Sequence, residues 1–238
     1  MSLMTIIQQV CGRTNIPVPS SVMGGTSDTQ VLQLLRLLEE EGQELASRYP
    51  WEGITNEFTL TTIAAEDQGA MATIAPNGFR ALKTGTFFDR TDSLPILGPL
   101  TDQEWQHRKA IAMTGPRYDF RLRGGHLLVN PIPAAGHTWA GEYWSKNWIL
   151  GIDGTTYKQY FTLDTDTLLI PEELCLSGLR WRWKKEKGFD YAEDFRSYEM
   201  QVKDAMSQDG GKRSLHMDKD MNRPKPGIGV PEYSWSLP

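Results

Sequence analysis

Histidines and carboxylates are the first residues of this sequence that could support chemistry. The four histidines are His107, His126, His137 and His216, and they lie far apart along the chain. Glu104 and His107 have the Glu-x-x-His spacing that supplies half of a di-iron site on a helix. The sequence holds no second copy of this motif, so we interpret the pair as a solvated helix face. We therefore predict no metal site.

A glycine-rich segment and an acidic segment could bind phosphate or perform acid–base chemistry. The letters GGKRS at 210–214 partly match a phosphate-binding loop, but Arg213 stands where serine or threonine should follow Lys212. We interpret this segment as the end of a helix. In LDTDT, Asp164 and Asp166 could form a general acid/base pair, although a turn with solvated acids is the simpler interpretation. We predict no catalytic residues and no cofactor.

The charge of the chain argues against a protein that coats nucleic acid. The 238 residues carry a formal net charge of −5, whereas nucleic-acid-binding domains are usually strongly basic. The run RWRWKKEK at 180–187 could stack on bases and contact phosphates. Residues 171–190 nevertheless hold five basic and four acidic side chains, so the segment is nearly neutral. We interpret it as a packed and solvated helix.

Cysteine use and apolar patterning are typical of a soluble protein in a reducing compartment. Cys11 and Cys175 are the only cysteines and lack the paired spacing of a disulfide framework. The first residues lack the charged and apolar regions of a signal peptide, and no apolar run is long enough to span a membrane. We expect a cytoplasmically made protein without a membrane partner.

Apolar residues recur at helical spacing near both ends of the sequence. The predicted helices cover residues 3–11, 26–48, 171–187 and 190–207. The second is the clearest: Ser27 and Gln30 form a capping-box pattern before an apolar stripe of Val31, Leu34, Leu35, Leu38 and Leu45. Thr101 and Glu104 predict the capped start of a shorter helix in the middle of the chain.

The third and fourth helices form a predicted helical hairpin with an unusual aromatic content. Trp181 and Trp183 are two positions apart, so they point about 200° from each other on a helix. One of them is predicted to face the helices, and the other to face the β lobe or a neighbouring subunit. Asp190 is the predicted N-cap of the last helix, with Glu193 at its third position. The apolar stripe of that helix consists of Tyr191, Phe195, Tyr198, Val202 and Met206.

Between these helices the apolar period changes from 3.6 to 2, which predicts strands from about residue 58 to 149. The segment RYDFRLRGGHLLVNPIP is typical of a hairpin with Gly124 and Gly125 as its turn. Its register places Phe120 opposite Val129 and Leu122 opposite Leu127 on one apolar face. In the next strand, alternation places two aromatic residues on each face, with Trp144 and Trp148 on one side and Trp139 and Tyr143 on the other. We expect both faces of that strand to be packed.

The order of elements predicts an α+β fold, in which an antiparallel helical bundle carries a β-rich insertion and an extended C-terminal arm. Residues 1–57 and 165–211 form the predicted bundle. Residues 58–164 form the insertion lobe, and residues 212–238 form the arm.

The arm cannot fold by itself, and yet it carries large apolar side chains. Its prolines exclude a helix and a central strand. Apolar residues alternate at nearly every second position after the glycines, namely Ile228, Val230, Tyr233, Trp235 and Leu237. Extended peptides that dock on a partner use alternate side chains for specificity. We predict docking, against a free terminus or a tail that folds back on its own lobe.

Several phrases of the sequence resemble the head-to-tail adaptor proteins of bacteriophages, also called connector or tail tubular proteins. They are RYPWEGITNEFTLTTIAAEDQG, GPLTDQEWQ, NPIPAAGHTWAGEYWSKNWI and LRWRWKKEKGFDYAEDF, and the likeness extends from the first helix to about residue 215. The resemblance implies a non-enzymatic virion protein, assembled in the host cytoplasm into a ring of twelve copies. It also implies a portal protein above the ring, a tail nozzle or stopper protein below it, and DNA that passes through the channel without specific binding.

Combined with the sequence patterns, the resemblance yields two sets of expected contact residues. The expected portal-binding residues of the arm are Ile228, Val230, Pro231, Tyr233, Trp235 and Leu237. The expected subunit-interface residues are Trp144, Trp148, Trp181 and Trp183.

Two other functions remain open on the sequence alone. One is a virion-associated cell-wall hydrolase with catalytic carboxylates in the β lobe, which turnover of purified peptidoglycan would reveal. The other is a cellular nucleic-acid-binding module, which conflicts with the net charge of −5. A salt titration of nucleic-acid binding would distinguish it.

Overall fold

The computed structural model describes residues 1–24, 28–111 and 117–210. These residues form six α-helices and several antiparallel sheets, so the fold is mixed α+β. The helices are α1 (Leu3–Thr14), α2 (Thr29–Arg48), α3 (Met71–Ile74), α4 (Asp102–Ala110), α5 (Glu172–Glu186) and α6 (Ala192–Gln208). Within the described ranges, none of these helices has both the length and the apolar character needed to cross a bilayer.

Eleven short strands lie between α2 and α5 in the described part of the chain. They are β1 (Thr55–Thr61), β2 (Asp67–Ala70), β3 (Phe79–Leu82), β4 (Phe88–Asp89), β5 (Leu94–Pro95), β6 (Asp119–Arg123), β7 (His126–Asn130), β8 (Thr138–Ser145), β9 (Ile149–Leu150), β10 (Tyr157–Lys158) and β11 (Thr167–Leu168). One sheet has the order β1-β8-β4-β5 with β3 also paired to β8, a second has the order β2-β7-β6, and a third has the order β10-β9-β11.

The helix starts depart from the sequence prediction at two caps. Asp28 is the N-cap of α2, and its Oδ1 accepts a hydrogen bond of 2.9 Å from the N–H of Gln30. The predicted cap, Ser27, lies outside the described residues. The predicted cap of α6 is displaced by one residue, because Tyr191 rather than Asp190 occupies the N-cap position, although Oδ1 of Asp190 accepts the N–H of Ala192 at 3.2 Å. The predicted capping box of α4, formed by Thr101 and Glu104, is confirmed.

Helices from both ends of the sequence share one hydrophobic cluster. Helix α5 contacts α1, α2 and α6, and α1 also contacts α2. The predicted stripe of α2 is buried within this cluster. The residues Trp148, Ile149 and Phe161 belong to it as well, although their positions fall within the predicted insertion lobe. The third sheet therefore packs with the helices.

The second hydrophobic cluster lies between the first two sheets. The hairpin of β6 and β7 has the predicted register, with Phe120 opposite Val129, and its turn glycines have φ angles of 60° and 79°. Phe120 packs edge-on against Phe87, whose ring packs edge-on against Trp139. Tyr143 and Trp139 share this core face of β8, as the alternation predicts.

The prediction that Trp148 shares a strand face with Trp144 is wrong. Strand β8 ends at Ser145, whose Oγ accepts the N–H of Asn147 at 2.8 Å, so the alternation stops before Trp148. Trp148 instead enters the helical cluster and packs edge-on against Phe161.

Candidate interaction surface

The turn between α5 and α6 is fixed by a helix-terminating motif. Gly188 has a φ of 73°, a conformation that favours glycine. Its N–H donates to the carbonyl of Lys185, and the N–H of Phe189 donates to the carbonyl of Lys184. These two bonds form a Schellman motif, in which an apolar contact usually accompanies the turn. Here Phe189 makes that contact with Trp183, with ring centroids 5.7 Å apart.

Three aromatic rings next to this turn remain at the surface, and we call them the aromatic patch. Phe189 is 57% exposed, Tyr191 is 39% exposed and Phe195 is 40% exposed. Phe195 stands edge-on to Trp181, with centroids 5.0 Å apart, and Tyr191 also contacts Trp181. Phe189 thus packs on Trp183, whereas the other two rings pack on Trp181. Exposed aromatic rings grouped around one turn are a candidate interaction site. Tyr191 and Phe195, the first two of the five residues in the predicted α6 stripe, are therefore available to a partner.

Basic side chains border the aromatic patch. A cavity of about 540 Å³ lies beside it. The lining includes Trp183, Phe189, Arg13, Arg180 and Lys184. Two of these cations, Arg180 and Lys184, form ion pairs with Asp194 of α6. The surface around Phe189 thus combines an exposed aromatic ring with arginine side chains, residue types that are enriched at protein interfaces.

Beneath the patch, a buried ion-pair network fixes α5 and α6 on α2. Arg182 is buried and pairs with three glutamates of α2: with Glu41 through Nε at 2.5 Å, with Glu40 at 2.6 Å, and with Glu44. The hydroxyl of Tyr198 donates to Glu41 from the side of α6. Because all three helices contribute, the network sets the position of the patch.

The electrostatics of this network depend on close packing around Glu41. Burial raises the pKa of the Glu41 carboxyl, while hydrogen bonds from Tyr198 and Arg182 oppose that rise. Burial beside Glu41 also raises the pKa of the Tyr198 phenol. A Cβ at Gly178 would lie 2.3 Å from the Glu41 carboxyl carbon, so a larger residue would displace this carboxylate where α5 passes α2. Sequence reasoning missed this network because its members are far apart in the chain.

The four tryptophans predicted at the subunit interface occupy different environments. Trp181 is buried beneath the aromatic patch, and Trp183 packs against the helical cluster while contacting Phe189. Trp144 is partly buried on β8. Trp148 is fully buried inside its own chain, so it has no surface to offer a neighbouring subunit, and we withdraw it from the predicted interface.

All six predicted portal-binding residues of the arm lie outside the described residues.

The two carboxylates of LDTDT hold loops together. Asp164 accepts hydrogen bonds from the Ser21 hydroxyl at 2.7 Å and from the N–H of Met23 at 2.7 Å. Asp166 is buried and accepts from Lys158 at 2.9 Å and from two backbone N–H groups. Burial tends to raise the pKa of each carboxyl, but these donors outweigh it and lower the pKa. Both groups are engaged as structural acceptors.

One carboxylate pair lies face to face in the β region. Glu57 of β1 is directly opposite Glu142 of β8, beside a cavity of about 360 Å³. Arg90 pairs with Glu57, and Lys83 pairs with Glu142 at 3.2 Å. Two such carboxylates are the groups that a glycoside hydrolase requires, one as acid and one as nucleophile or base. In this arrangement each carboxylate has its own cation.

Glu104 of the Glu-x-x-His pair is engaged at the start of its own helix. The Glu104 carboxylate accepts the N–H and hydroxyl of Thr101, both at 2.8 Å, so it serves the helix cap. Lys212 and Arg213 of the glycine-rich segment lie outside the described residues.

No protein-family model matches this chain, and no curated protein matches it.

Proposed function

We propose that this chain is a structural head-to-tail adaptor of a bacteriophage virion. Twelve copies form a ring that joins the portal protein to the tail nozzle or stopper protein and surrounds part of the DNA channel. Within each copy, the helices form an antiparallel bundle, residues 58–164 form the β-rich insertion, and residues 212–238 extend onto the portal.

The aromatic patch is the observation that carries this proposal. Phe189, Tyr191 and Phe195 offer a protein partner three exposed aromatic rings around one turn, and Arg182 of α5 pairs with Glu41 of α2 beside them. A ring subunit must bury such a surface against each neighbour. Because every contact is repeated around a ring, a modest energy for each contact yields a stable assembly.

The order of elements gives further support. Helices α1 and α2 precede the strands, helices α5 and α6 follow them, and both pairs contribute to one cluster. The resemblance implies this arrangement for the adaptor family.

The hydrolase remains a second candidate because Glu57 and Glu142 face each other beside a cavity. Turnover of purified peptidoglycan by the wild-type chain, abolished by Glu142→Gln, would establish the hydrolase and contradict the adaptor as the sole function.

Attachment to portal-bearing heads tests the adaptor proposal. The full-length chain should sediment with purified heads of the phage that encodes it. A chain lacking residues 224–238 should keep its melting temperature but lose most of this attachment. Failure of the full-length chain to attach would contradict the proposal, and full attachment of the truncated chain would remove the arm from it.

A further inference from the structure

A histidine and two aspartates converge in the β region. Asp89 ends β4, Asp92 follows in the turn to β5, and His137 immediately precedes β8. One potential ligand atom from each side chain lies within 4.8 Å of the other two. Nδ1 of His137 is 3.0 Å from Oδ2 of Asp89 and 3.5 Å from Oδ2 of Asp92.

The backbone holds these side chains in position. Oδ1 of Asp89 accepts hydrogen bonds from the N–H of Thr91 at 2.8 Å and from that of Asp92 at 3.2 Å. This leaves Oδ2 of Asp89 turned towards His137. The N–H of Thr138 donates to the Thr91 hydroxyl at 2.9 Å, which ties the turn to the start of β8. The three side chains therefore need little rearrangement to bind a common ligand.

The spacing of the three atoms suits a transition-metal ion. Zinc binds imidazole nitrogen and carboxylate oxygen at about 2.0–2.2 Å, so neighbouring ligands on a tetrahedral ion lie about 3.3–3.5 Å apart. The observed N···O distances of 3.0 and 3.5 Å are close to this separation. An imidazole among the ligands favours zinc and similar ions over Mg²⁺ and Ca²⁺, which take oxygen ligands.

The charge of the cluster also favours a divalent cation. Within the described residues, both Asp89 and Asp92 pair with His137, and neither pairs with a lysine or an arginine, so two carboxylates share one imidazole. Arg90, which stands between them in sequence, pairs with Glu57 instead. Asp89 is buried, His137 is partly buried and Asp92 is exposed, so a cation can enter from the side of Asp92. Water can complete its coordination there.

We propose that Asp89, Asp92 and His137 bind one divalent transition-metal ion, with Zn²⁺ as the reference ion. Nδ1 of His137 releases its proton to solvent and coordinates the ion together with Oδ2 of each aspartate. The bound ion fastens the turn between β4 and β5 to the start of β8. This departs from the sequence prediction of no metal, because Asp89 and His137 are 48 residues apart.

Zinc binding by the full-length chain tests the proposal. Equilibrium dialysis against micromolar zinc chloride should give one bound ion per chain, and zinc should raise the melting temperature. Asp92→Asn and His137→Gln should each weaken zinc binding by more than about tenfold, since even the loss of an outer-shell partner costs that much. Cobalt chloride should give a visible absorption band that both substitutions remove.

The pair of Asp67 and His126 provides a matched control. These two side chains are 2.9 Å apart and exposed, and they do not belong to the described three-residue cluster. Asp67→Asn should therefore leave zinc affinity and the zinc-induced melting shift unchanged. The absence of stoichiometric binding, an unchanged affinity in Asp92→Asn, or an equal loss in Asp67→Asn would overturn the proposal. Because Asp92 is exposed, the Asp92→Asn variant should fold, and it therefore tests the proposal even if His137→Gln fails to fold.

Discussion

The indole ring of Trp148 covers Gly42 in the middle of α2. A Cβ at residue 42 would lie 2.2 Å from Cη2 of this ring, far inside van der Waals contact. Trp148 lies three residues beyond β8, so this contact joins the end of the central strand to the helical cluster. The strands and the helices are thus locked together at a position where no side chain other than hydrogen fits.

Replacing Gly42 with alanine should destabilise the protein. Glycine-to-alanine changes within helices usually stabilise by about 0.5–1 kcal/mol, but the clash with Trp148 should reverse the sign and cost about 1–3 kcal/mol. Gly12→Ala in α1 is the matched control, because no atom lies within 4 Å of its added Cβ. Urea unfolding of both variants measures the difference. Equal stabilisation by both substitutions would mean that the contact is absent in solution.

Removing the Arg182 side chain should be costly. Arg182→Ala leaves Glu41 buried without its cation, and breaking a buried pair from one side costs about 3–5 kcal/mol. Arg90→Ala removes one partner of an exposed pair, in which the Arg90 and Glu57 side chains are 56% and 53% exposed, and should cost less than about 1 kcal/mol. Free energies of unfolding from urea titrations give both values. Similar losses for the two variants would contradict the network.

The free energy of unfolding should fall at acidic pH, because protonation of Asp164 and Asp166 weakens the loop contacts beside α1. The folded pKa of Asp164 and of Asp166 lies below its ordinary value, which is about 3.9. Their contribution is therefore complete above the unfolded pKa and is lost as the pH falls through the folded pKa. The Asp164→Asn variant should be less stable than the wild-type protein at neutral pH, and its free energy of unfolding should fall less than that of the wild type on acidification. Asp102→Asn, at a side chain that is 91% exposed, is the control. Parallel curves for Asp164→Asn and wild type would contradict the assignment.

The aromatic patch should matter for assembly and little for folding. Replacing Phe189 and Tyr191 with serine should leave the melting temperature nearly unchanged but weaken self-association, each ring contributing about 1–2 kcal/mol. Met200 is an exposed apolar residue of α6 outside the patch, so Met200→Ser should have no effect on association. Sedimentation velocity over a concentration series compares the variants. If the patch variant assembles like wild type, the patch is not an interface.

Local patterns predicted the secondary structure well where a segment alone determines it. The stripe of α2 and the register of the β6–β7 hairpin depend only on apolar spacing and turn residues, and both are confirmed. The prediction for Trp148 was wrong because alternation applies only within a paired strand, and β8 ends at Ser145.

The polar clusters could not be predicted from the sequence. Arg182 and Glu41 are 141 residues apart, and the sequence gives no local signal that pairs them. The Asp89–His137 contact has the same character, since it arises only when β4 pairs with β8. Two aromatic residues of the patch, Tyr191 and Phe195, were predicted as part of an apolar stripe, whereas Phe189 was not. Their exposure depends on where α5 ends, and this is a property of the tertiary fold.

Electron microscopy of the purified full-length chain mixed with the portal protein of the proposed phage tests the adaptor proposal most directly. We predict closed rings seated on one face of the portal, with the same rotational symmetry as the portal and with the surface around Phe189 buried between neighbouring copies. Monomers that leave the portal bare at saturating concentration would contradict the central claim.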